Sequence, residues 1–296
     1  MTTNEVNSVL KFIAPTLRYH LEKLCANIWD NAQEIRLSMG KPLIICFNKD
    51  HIKLPVICDE SSVKETLLLL TDNSVYSVND KLNNGFLTIE GGHRVGICGT
   101  AVMNNGSISA IRNISSINIR IKREITGAAD RIIPYIKTEN GICNTIIISP
   151  PKCGKTTLLR DIARVLGNYH NVSIVDERSE IAGMYAGTPQ NDVGVQTTVF
   201  DGCIKSVAIP IVIRSMSPEI VITDEIGSEE DMEAINYALK SGVKIITSAH
   251  GDTLENIRRK PILKNIIDEF DLIITLTNDV GVGTISNIIY KGTTYG

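Results

Sequence analysis

Residues 145–161 read TIIISPPKCGKTTLLRD, an apolar run followed by a small, positively charged turn. Gly154, Lys155 and Thr156 match the end of the phosphate-binding pattern G-x-x-x-x-G-K-[ST], but Ser149 stands where that pattern has its first glycine. With typical residue usage, the tripeptide G-K-[ST] occurs by chance in roughly one of seven chains of this length. The segments on either side must therefore decide whether this turn binds phosphate.

Those segments favour a phosphate site. The run NTIIISP predicts a buried strand, and the segment after the turn has the apolar spacing of a helix. The apolar face of that helix comprises Leu158, Leu159, Ile162, Ala163 and Leu166. A helix N-terminus presents free N–H groups and the positive end of its dipole to an anion. The alternative is an ordinary strand–turn–helix with a solvated lysine.

The candidate phosphate loop comprises Ser149, Pro150, Pro151, Lys152, Cys153, Gly154, Lys155, Thr156 and Thr157. Lys155 would reach the outer phosphates of a nucleotide, and the Thr156 hydroxyl would hold Mg²⁺. The first glycine of the pattern eases the turn at the end of the strand. We expect the two prolines to hold that turn instead, by fixing the backbone angle φ.

The whole chain reads as a folded protein of 296 residues, with 43% hydrophobic residues and a net charge of −3. This charge does not favour nucleic acid as a partner. No apolar run approaches the ~18 residues needed to span a bilayer, so no direct membrane insertion is expected. The N-terminus lacks the pattern of a signal peptide, and the seven cysteines are dispersed as free thiols. We expect a cytoplasmic protein.

The pattern of segments predicts two domains and an α/β fold class. Residues 1–123 combine helical and strand patterns and read as an α+β domain. Residues 124–140 are predicted to link the domains. In residues 141–296, apolar strands alternate with helices, which indicates a parallel sheet covered on both faces. Ligands of such sheets bind at the carboxyl ends of the strands.

One of those strand ends carries two acids. The strand EIVITDEIG ends in Asp224 and Glu225. An acid after an apolar strand downstream of a phosphate loop would bind Mg²⁺, directly or through water. The adjacent Glu225 would polarise an attacking water, which favours hydrolysis over transfer to another substrate. Taken alone, the pair Asp-Glu after a strand is common and could be surface charge. Its place at the carboxyl end of a strand downstream of a phosphate loop favours a functional role.

Other charged residues follow neighbouring strands. Glu177 and Arg178 come after NVSIVD, where a salt-bridged turn is an equally good interpretation. His250 ends the strand VKIITSAH and would sense the outermost phosphate, although a lone histidine is more often structural. Arg214 lies ten residues before Asp224. It could reach a phosphate within the chain or across a subunit contact, or be a solvated helix charge.

Together these stretches resemble the secretion ATPases of type II secretion and type IV pilus machines. The phrases EIRLSMGKPL, GGHRVGICGTAV, IVDERSEIAG and HGDT are more closely similar to the stage III sporulation protein AA family, over about residues 30–296. The resemblance implies a RecA-like P-loop ATPase core with a smaller N-terminal α+β domain. It further implies ATP and Mg²⁺ as cofactors and a homo-oligomer, usually a hexameric ring.

The resemblance also implies roles for residues and a place in the cell. Glu177 matches an acidic box, Asp224 and Glu225 the Walker B strand, and His250 a histidine box. Arg94 and Arg120 are matched only by lying on N-terminal strands. The family acts on the mother-cell side of a membrane-spanning complex and docks on an integral membrane protein of it. The sequence leaves a motor and a low-turnover nucleotide switch as alternatives.

Two departures from the family pattern lie in the phosphate loop. Ser149 replaces the first glycine, and Lys152 adds a positive charge. That charge would either tighten phosphate binding or occupy the site when it is empty.

Overall fold

The computed structural model describes residues 8–47, 50–72, 86–104, 106–123, 125–264, 266–291 and 293–295. The chain divides into two compact units. Unit 1 comprises Met1–Arg123 and Tyr185–Gln190, and unit 2 comprises Glu124–Met184 and Asn191–Gly296. The domain boundaries drawn from the sequence stay a prediction. The sequence did not suggest that a short later segment, residues 185–190, groups with unit 1.

Unit 1 is built on an antiparallel sheet that has six strands within the described residues, in the order β3-β2-β1-β6-β5-β4. The strands are β1 (Glu34–Ser38), β2 (Pro42–Cys46), β3 (His51–Ile57), β4 (Phe86–Ile89), β5 (His93–Asn104) and β6 (Ser107–Arg120). Its helices include α1 (Pro15–Glu22), α2 (Ala26–Asn31) and α3 (Glu60–Leu70). This is the α+β arrangement that the mixed pattern predicts.

Alternation of side chains places the core of unit 1 on one face of this sheet. Ile35 lies opposite Ile119, which lies opposite Val95, so the three form a buried row across β1, β6 and β5. Successive residues of a strand point to opposite faces. The polar neighbours Glu34, Arg36 and Arg120 therefore lie on the other face.

Unit 2 is built on a sheet of eight strands within the described residues, in the order β11-β10-β12-β13-β9-β14-β15-β16. The strands are β9 (Thr145–Ser149), β10 (Val172–Asp176), β11 (Thr197–Asp201), β12 (Ile220–Glu225), β13 (Lys244–His250), β14 (Leu272–Thr277), β15 (Thr284–Tyr290) and β16 (Thr293–Tyr295). A small hairpin of β7 (Lys137–Thr138) and β8 (Gly141–Ile142) precedes them. In this sheet order, the six strands from β11 through β14 run parallel to one another, as predicted.

Helices cover both faces of this sheet. They are α4 (Ile133–Ile136), α5 (Lys155–Leu166), α6 (Lys205–Met216), α7 (Glu229–Lys240), α8 (Leu254–Arg258) and α9 (Pro261–Lys264), with a 3₁₀ turn at Ile267–Glu269. Along β9, Ile147 joins the core beneath α5, while Ile146 and Ile148 join the core beneath α6 and α7. Burial on both faces explains why β9 is apolar at consecutive positions.

The segment predicted to link the domains contributes to the core of unit 2. Ala129, Ile132 and Ile136 are fully buried there, in the same cluster as Leu159 and Ile162 of α5. The Ala129 N–H also donates a hydrogen bond of 2.7 Å to Asp161 Oδ2.

Within the part of the chain that is described, no helix has both the length and the apolar character needed to cross a bilayer.

Candidate nucleotide site

The phosphate loop connects the end of β9 to the start of α5. Gly154 caps the helix in the left-handed conformation, with φ +85°, and Lys152 also has a positive φ of +63°. A side chain is strained at such angles, which explains the glycine next to Lys155. Ser149, in contrast, belongs to the strand and does not have a positive φ. A serine fits this position without backbone strain.

A pocket of about 760 Å³ opens beside this loop, at the carboxyl ends of the parallel strands. Eight of the residues singled out from the sequence line it, namely Pro151, Lys152, Lys155, Thr156, Glu177, Arg178, Asp224 and Glu225. The topology accounts for this convergence, because β9, β10 and β12 are parallel and end at one edge of the sheet. The N-terminus of α7 completes the wall with Ser228, Glu230 and Asp231.

Other loop residues singled out from the sequence do not line the pocket: Ser149, Pro150, Cys153, Gly154 and Thr157. Ser149 is fully buried, and its hydroxyl donates a hydrogen bond of 2.8 Å to the Pro150 carbonyl oxygen. Cys153 is also buried, and its thiol packs in the core of unit 2. These two residues shape the loop from beneath.

The structure places His250 and Arg214 outside the pocket as well. His250 is the exposed last residue of β13, and its carbonyl oxygen accepts a hydrogen bond from Lys260 Nζ. Arg214 lies in the last turn of α6, where its Nε donates to the Pro210 carbonyl oxygen at 3.1 Å. Arg214 lies nine residue steps along the helix from Lys205, which places it about 13 Å from the pocket edge. The structure therefore does not bring Arg214 to the pocket of its own chain.

The two arginines matched on N-terminal strands both have partners within unit 1. Arg94 and Arg120 lie opposite each other on β5 and β6. Arg120 Nε is 3.1 Å from Glu34 Oε1, and the Arg94 guanidinium stacks 4.0 Å from the centre of the Phe86 ring.

Three ion pairs, made by two lysines, organise the charges inside the pocket. The first joins the phosphate loop to β12, with Lys155 Nζ 2.6 Å from Glu225 Oε2 and 3.5 Å from the Ser149 carbonyl oxygen. The Lys155 side chain is largely buried, whereas that of Glu225 is 51% exposed. Glu225 can therefore swing into solvent, and Lys155 can take another anionic partner.

The other two ion pairs both involve Lys205, a residue that the sequence patterns did not single out. Its ammonium lies 2.7 Å from Asp224 Oδ1 and 2.7 Å from Glu177 Oε2, and its side chain is only 6% exposed. It thus bridges the ends of β10 and β12. One sequence feature could have identified Lys205. It is the first residue of α6, a position where the helix dipole disfavours a cation.

Burial and neighbouring charges shift the pKa values in this cluster. Burial raises the pKa of Asp224 to about 6, although Lys205 opposes the shift, and the nearby acids Asp176 and Glu177 raise it further. Burial disfavours the charged form of Lys205, but Asp224 and Glu177 outweigh that effect and raise the pKa of the ammonium. Lys205 thus stays charged over the physiological range.

Asp176 shapes the loop that presents Glu177 and Arg178. It is fully buried and accepts hydrogen bonds from the N–H groups of Glu180, Ile181 and Ala182, at 2.9, 3.0 and 2.8 Å. Burial raises the pKa of Asp176, while the three N–H donors oppose the rise. Asp176 is therefore structural, whereas the next residue, Glu177, faces the pocket.

The residues at the pocket fit a magnesium ion shared with phosphates. Within the described residues there is no group of three or more His, Cys, Asp or Glu side chains placed to hold a metal. Mg²⁺ usually needs only one or two protein ligands beside phosphate and water. Asp224 Oδ1 is buried and has its ion pair with Lys205 but no well-directed hydrogen bond. Asp224 and the Thr156 hydroxyl are the residues that would hold the ion.

The fold is similar to solved structures of secretion ATPases. The ATPase DotB of Legionella pneumophila superposes with a TM-score of 0.59 at 17% identity, over 88% of this chain and 76% of DotB. The pilus retraction motor PilT with bound ADP gives a TM-score of 0.58 at 13% identity, over 90% of this chain and 77% of PilT. These likenesses confirm the predicted RecA-like α/β fold class.

The sequence itself identifies the family. Residues 3–294 match the family described as sporulation stage III, protein AA. Stage III sporulation protein AA of Bacillus subtilis (strain 168) is 37% identical over 97% of this chain and 95% of its own length. With so full a match, and with the fold of a secretion ATPase, the chain belongs to the sporulation stage III protein AA family.

Proposed function

We propose that this protein binds ATP with Mg²⁺ and hydrolyses it, as a motor that serves a membrane-spanning sporulation complex. The observation that carries the proposal is that Lys155, Thr156, Glu177, Asp224 and Glu225 line one pocket at the carboxyl edge of a parallel sheet. Each of these residue types has a role in phosphate chemistry, and no single stretch of sequence contains them all.

Each side chain in the pocket has a defined task in this proposal. Lys155 and the N–H groups at the start of α5 bind the outer phosphates. Thr156 and Asp224 would hold Mg²⁺, and the ion would supply positive charge beside the phosphates. Glu225 polarises the attacking water, and Glu177 adds a second carboxylate beside it.

The ion pair between Lys155 and Glu225 links binding to catalysis. Both groups are engaged with each other at 2.6 Å. A phosphate that attracts Lys155 weakens this pair and frees the Glu225 carboxylate to orient water. Nucleotide binding would then assemble the catalytic arrangement.

Membership of the family supports a proposal for assembly and location. We propose a homo-oligomeric ring, a hexamer as in related secretion ATPases, in the mother cell and on the cytoplasmic face of the complex. An integral membrane protein of that complex would be its docking partner. In such a ring, Arg214 and His250, which lie outside the pocket, are available to act at a subunit contact.

A low-turnover nucleotide switch is the second candidate. It is favoured by the same ion pair, because a Glu225 that stays bound to Lys155 leaves no group to polarise water. The switch would bind ATP tightly and release product slowly.

The experiment that tests the proposal is steady-state release of phosphate from Mg-ATP, measured beside ATP affinity. We expect Glu225→Gln to reduce turnover by about 100-fold or more, the usual range for removing a general base, while ATP affinity changes little. Glu233→Gln on the exposed face of α7 is the matched control and should leave both unchanged. Binding without turnover in the wild type, in every assembly state, would support the switch; no binding would refute both.

A further inference from the structure

Lys205 is a buried cation to which the proposed hydrolysis assigns no task. Its ammonium contacts one oxygen of Asp224 and one of Glu177, each at 2.7 Å. An ammonium is rarely buried unless it is paired, and here two acids from different strand ends share it. It therefore neutralises the same carboxylates that would face a metal ion.

The unfavourable free energy of burying the Lys205 ammonium at a helix N-terminus indicates that Lys205 has more than a structural role. Lys205 begins α6 against the helix dipole. Buried ion pairs usually stabilise a fold no better than well-packed apolar side chains of similar size. The other buried residues of α6, Ala208, Ile209 and Val212, are apolar and supply its packing. The charge of Lys205 thus acts mainly on the two acids.

We propose that Lys205 is a positioning residue that holds the Glu177 and Asp224 carboxylates together and competes with a divalent cation for them. This inference rests on the proposed function, because Asp224 is a ligand of Mg²⁺ there. Asp224 Oδ1 cannot face an ammonium at 2.7 Å and a divalent ion at once without repulsion between the cations. Lys205 therefore weakens binding of the bare ion.

This competition makes the pocket selective for the metal–nucleotide complex. Bare Mg²⁺ would add two positive charges beside Lys155 and Lys205. Mg²⁺ that arrives with ATP brings phosphate charge that compensates both lysines. The pocket would thus remain free of metal until nucleotide is present.

The test uses Mn²⁺ alone as the probe, with the nucleotide-free protein. The electron paramagnetic resonance signal of free Mn²⁺ reports how much ion is bound. We expect Lys205→Met to bind Mn²⁺ about tenfold more tightly than the wild type, because one opposing charge a few ångströms away is removed. Lys205→Arg, which keeps the charge, should resemble the wild type. Lys240→Met, at the exposed far end of α7, is the matched control.

Further variants and a nucleotide-binding control keep the result interpretable. Removing Lys205 leaves the largely buried Asp224 without a compensating charge, so the variant can lose stability. If Lys205→Met does not fold, Lys205→Gln is tested in its place. The double variant Lys205→Met with Asp224→Asn should fold but lose the gain in Mn²⁺ affinity. Unchanged Mn²⁺ affinity in the folded single variant overturns the inference. Failure of the wild type to bind a fluorescent ATP analogue would instead refute the proposed function.

Discussion

Gly154 is the residue whose backbone most directly fixes the phosphate loop. Its φ of +85° lies in the left-handed region, and an added Cβ would come within 3.3 Å of Val282 Cγ1. Both effects oppose a side chain, the first through backbone strain and the second through contact with a neighbouring loop.

We expect Gly154→Ala to lower the free energy of unfolding by about 1 kcal/mol, the usual cost of a left-handed alanine. Urea denaturation followed by circular dichroism measures it. Gly281→Ala is the control, because Gly281 lacks a positive φ and its added Cβ would meet open space. Equal stability of the two variants would show that the loop relaxes around the new side chain.

Ser149 shows why a departure from a sequence pattern need not alter a site. The pattern predicts a glycine where the backbone must turn, yet the chain is still in β9 at Ser149 and turns only after it. The two prolines after it are the residues that the sequence predicts to hold the turn. The structure adds that the serine hydroxyl bonds to Pro150 beneath the loop.

At the scale of elements, Asp271 fastens the strands of unit 2 at the edge opposite the pocket. Asp271 Oδ2 accepts from the Asn144 N–H at 3.0 Å, and Oδ1 lies 2.7 Å from Lys291 Nζ. Burial acts to raise the pKa of Asp271, but Lys291 and the Asn144 N–H outweigh it and lower the pKa. The start of β14 and the end of β15 are thereby joined to the start of β9.

This lowered pKa predicts a pH dependence of stability. The folded pKa lies below the unfolded one, so the stabilisation is complete above the unfolded pKa of about 3.9 and is lost as pH falls through the folded pKa. The difference in unfolding free energy between wild type and Asp271→Asn should therefore be largest near neutral pH and shrink below about pH 4. Urea midpoints across that range measure it. A difference independent of pH would assign the effect to hydrogen bonding alone.

The sequence predicted the central strands of unit 2 better than its edges. β9, β10, β12, β13 and β14 are mainly apolar and are buried at consecutive positions, because both faces of a central parallel strand are buried. The edge strands β11, β15 and β16 and the hairpin of β7 and β8 were not predicted. β11 reads TTVFD and is exposed or half-buried along its length, so its pattern resembles a loop. Pairing with β10, which the sequence does not show, makes it a strand.

The same distinction holds for the candidate site. Residues directly after apolar strands, such as Glu177, Asp224 and Glu225, were found because topology alone brings strand ends together. Lys205 was missed because it follows an edge strand and a turn, and only packing of α6 brings its ammonium to the acids. His250 ends a strand at the same edge yet lies outside the pocket, since position along a strand does not fix side-chain direction.

For the whole molecule, the proposed ring predicts a change of mass with nucleotide. We expect Mg-ATP to shift the protein from small species towards six times the 32.4 kDa chain mass. Light scattering after size-exclusion chromatography, with and without Mg-ATP, measures this. A monomer under both conditions would leave Arg214 without a neighbouring subunit on which to act.

Cys153 has a consequence for following the phosphate loop in time. Its thiol is buried in the core of unit 2, although the adjacent Lys152 is exposed at the pocket. Any movement that lifts the loop must withdraw this thiol from the core and expose it to solvent. The rate at which a soluble alkylating reagent modifies Cys153 therefore reports how often the loop opens. Mass spectrometry measures that rate without an added label.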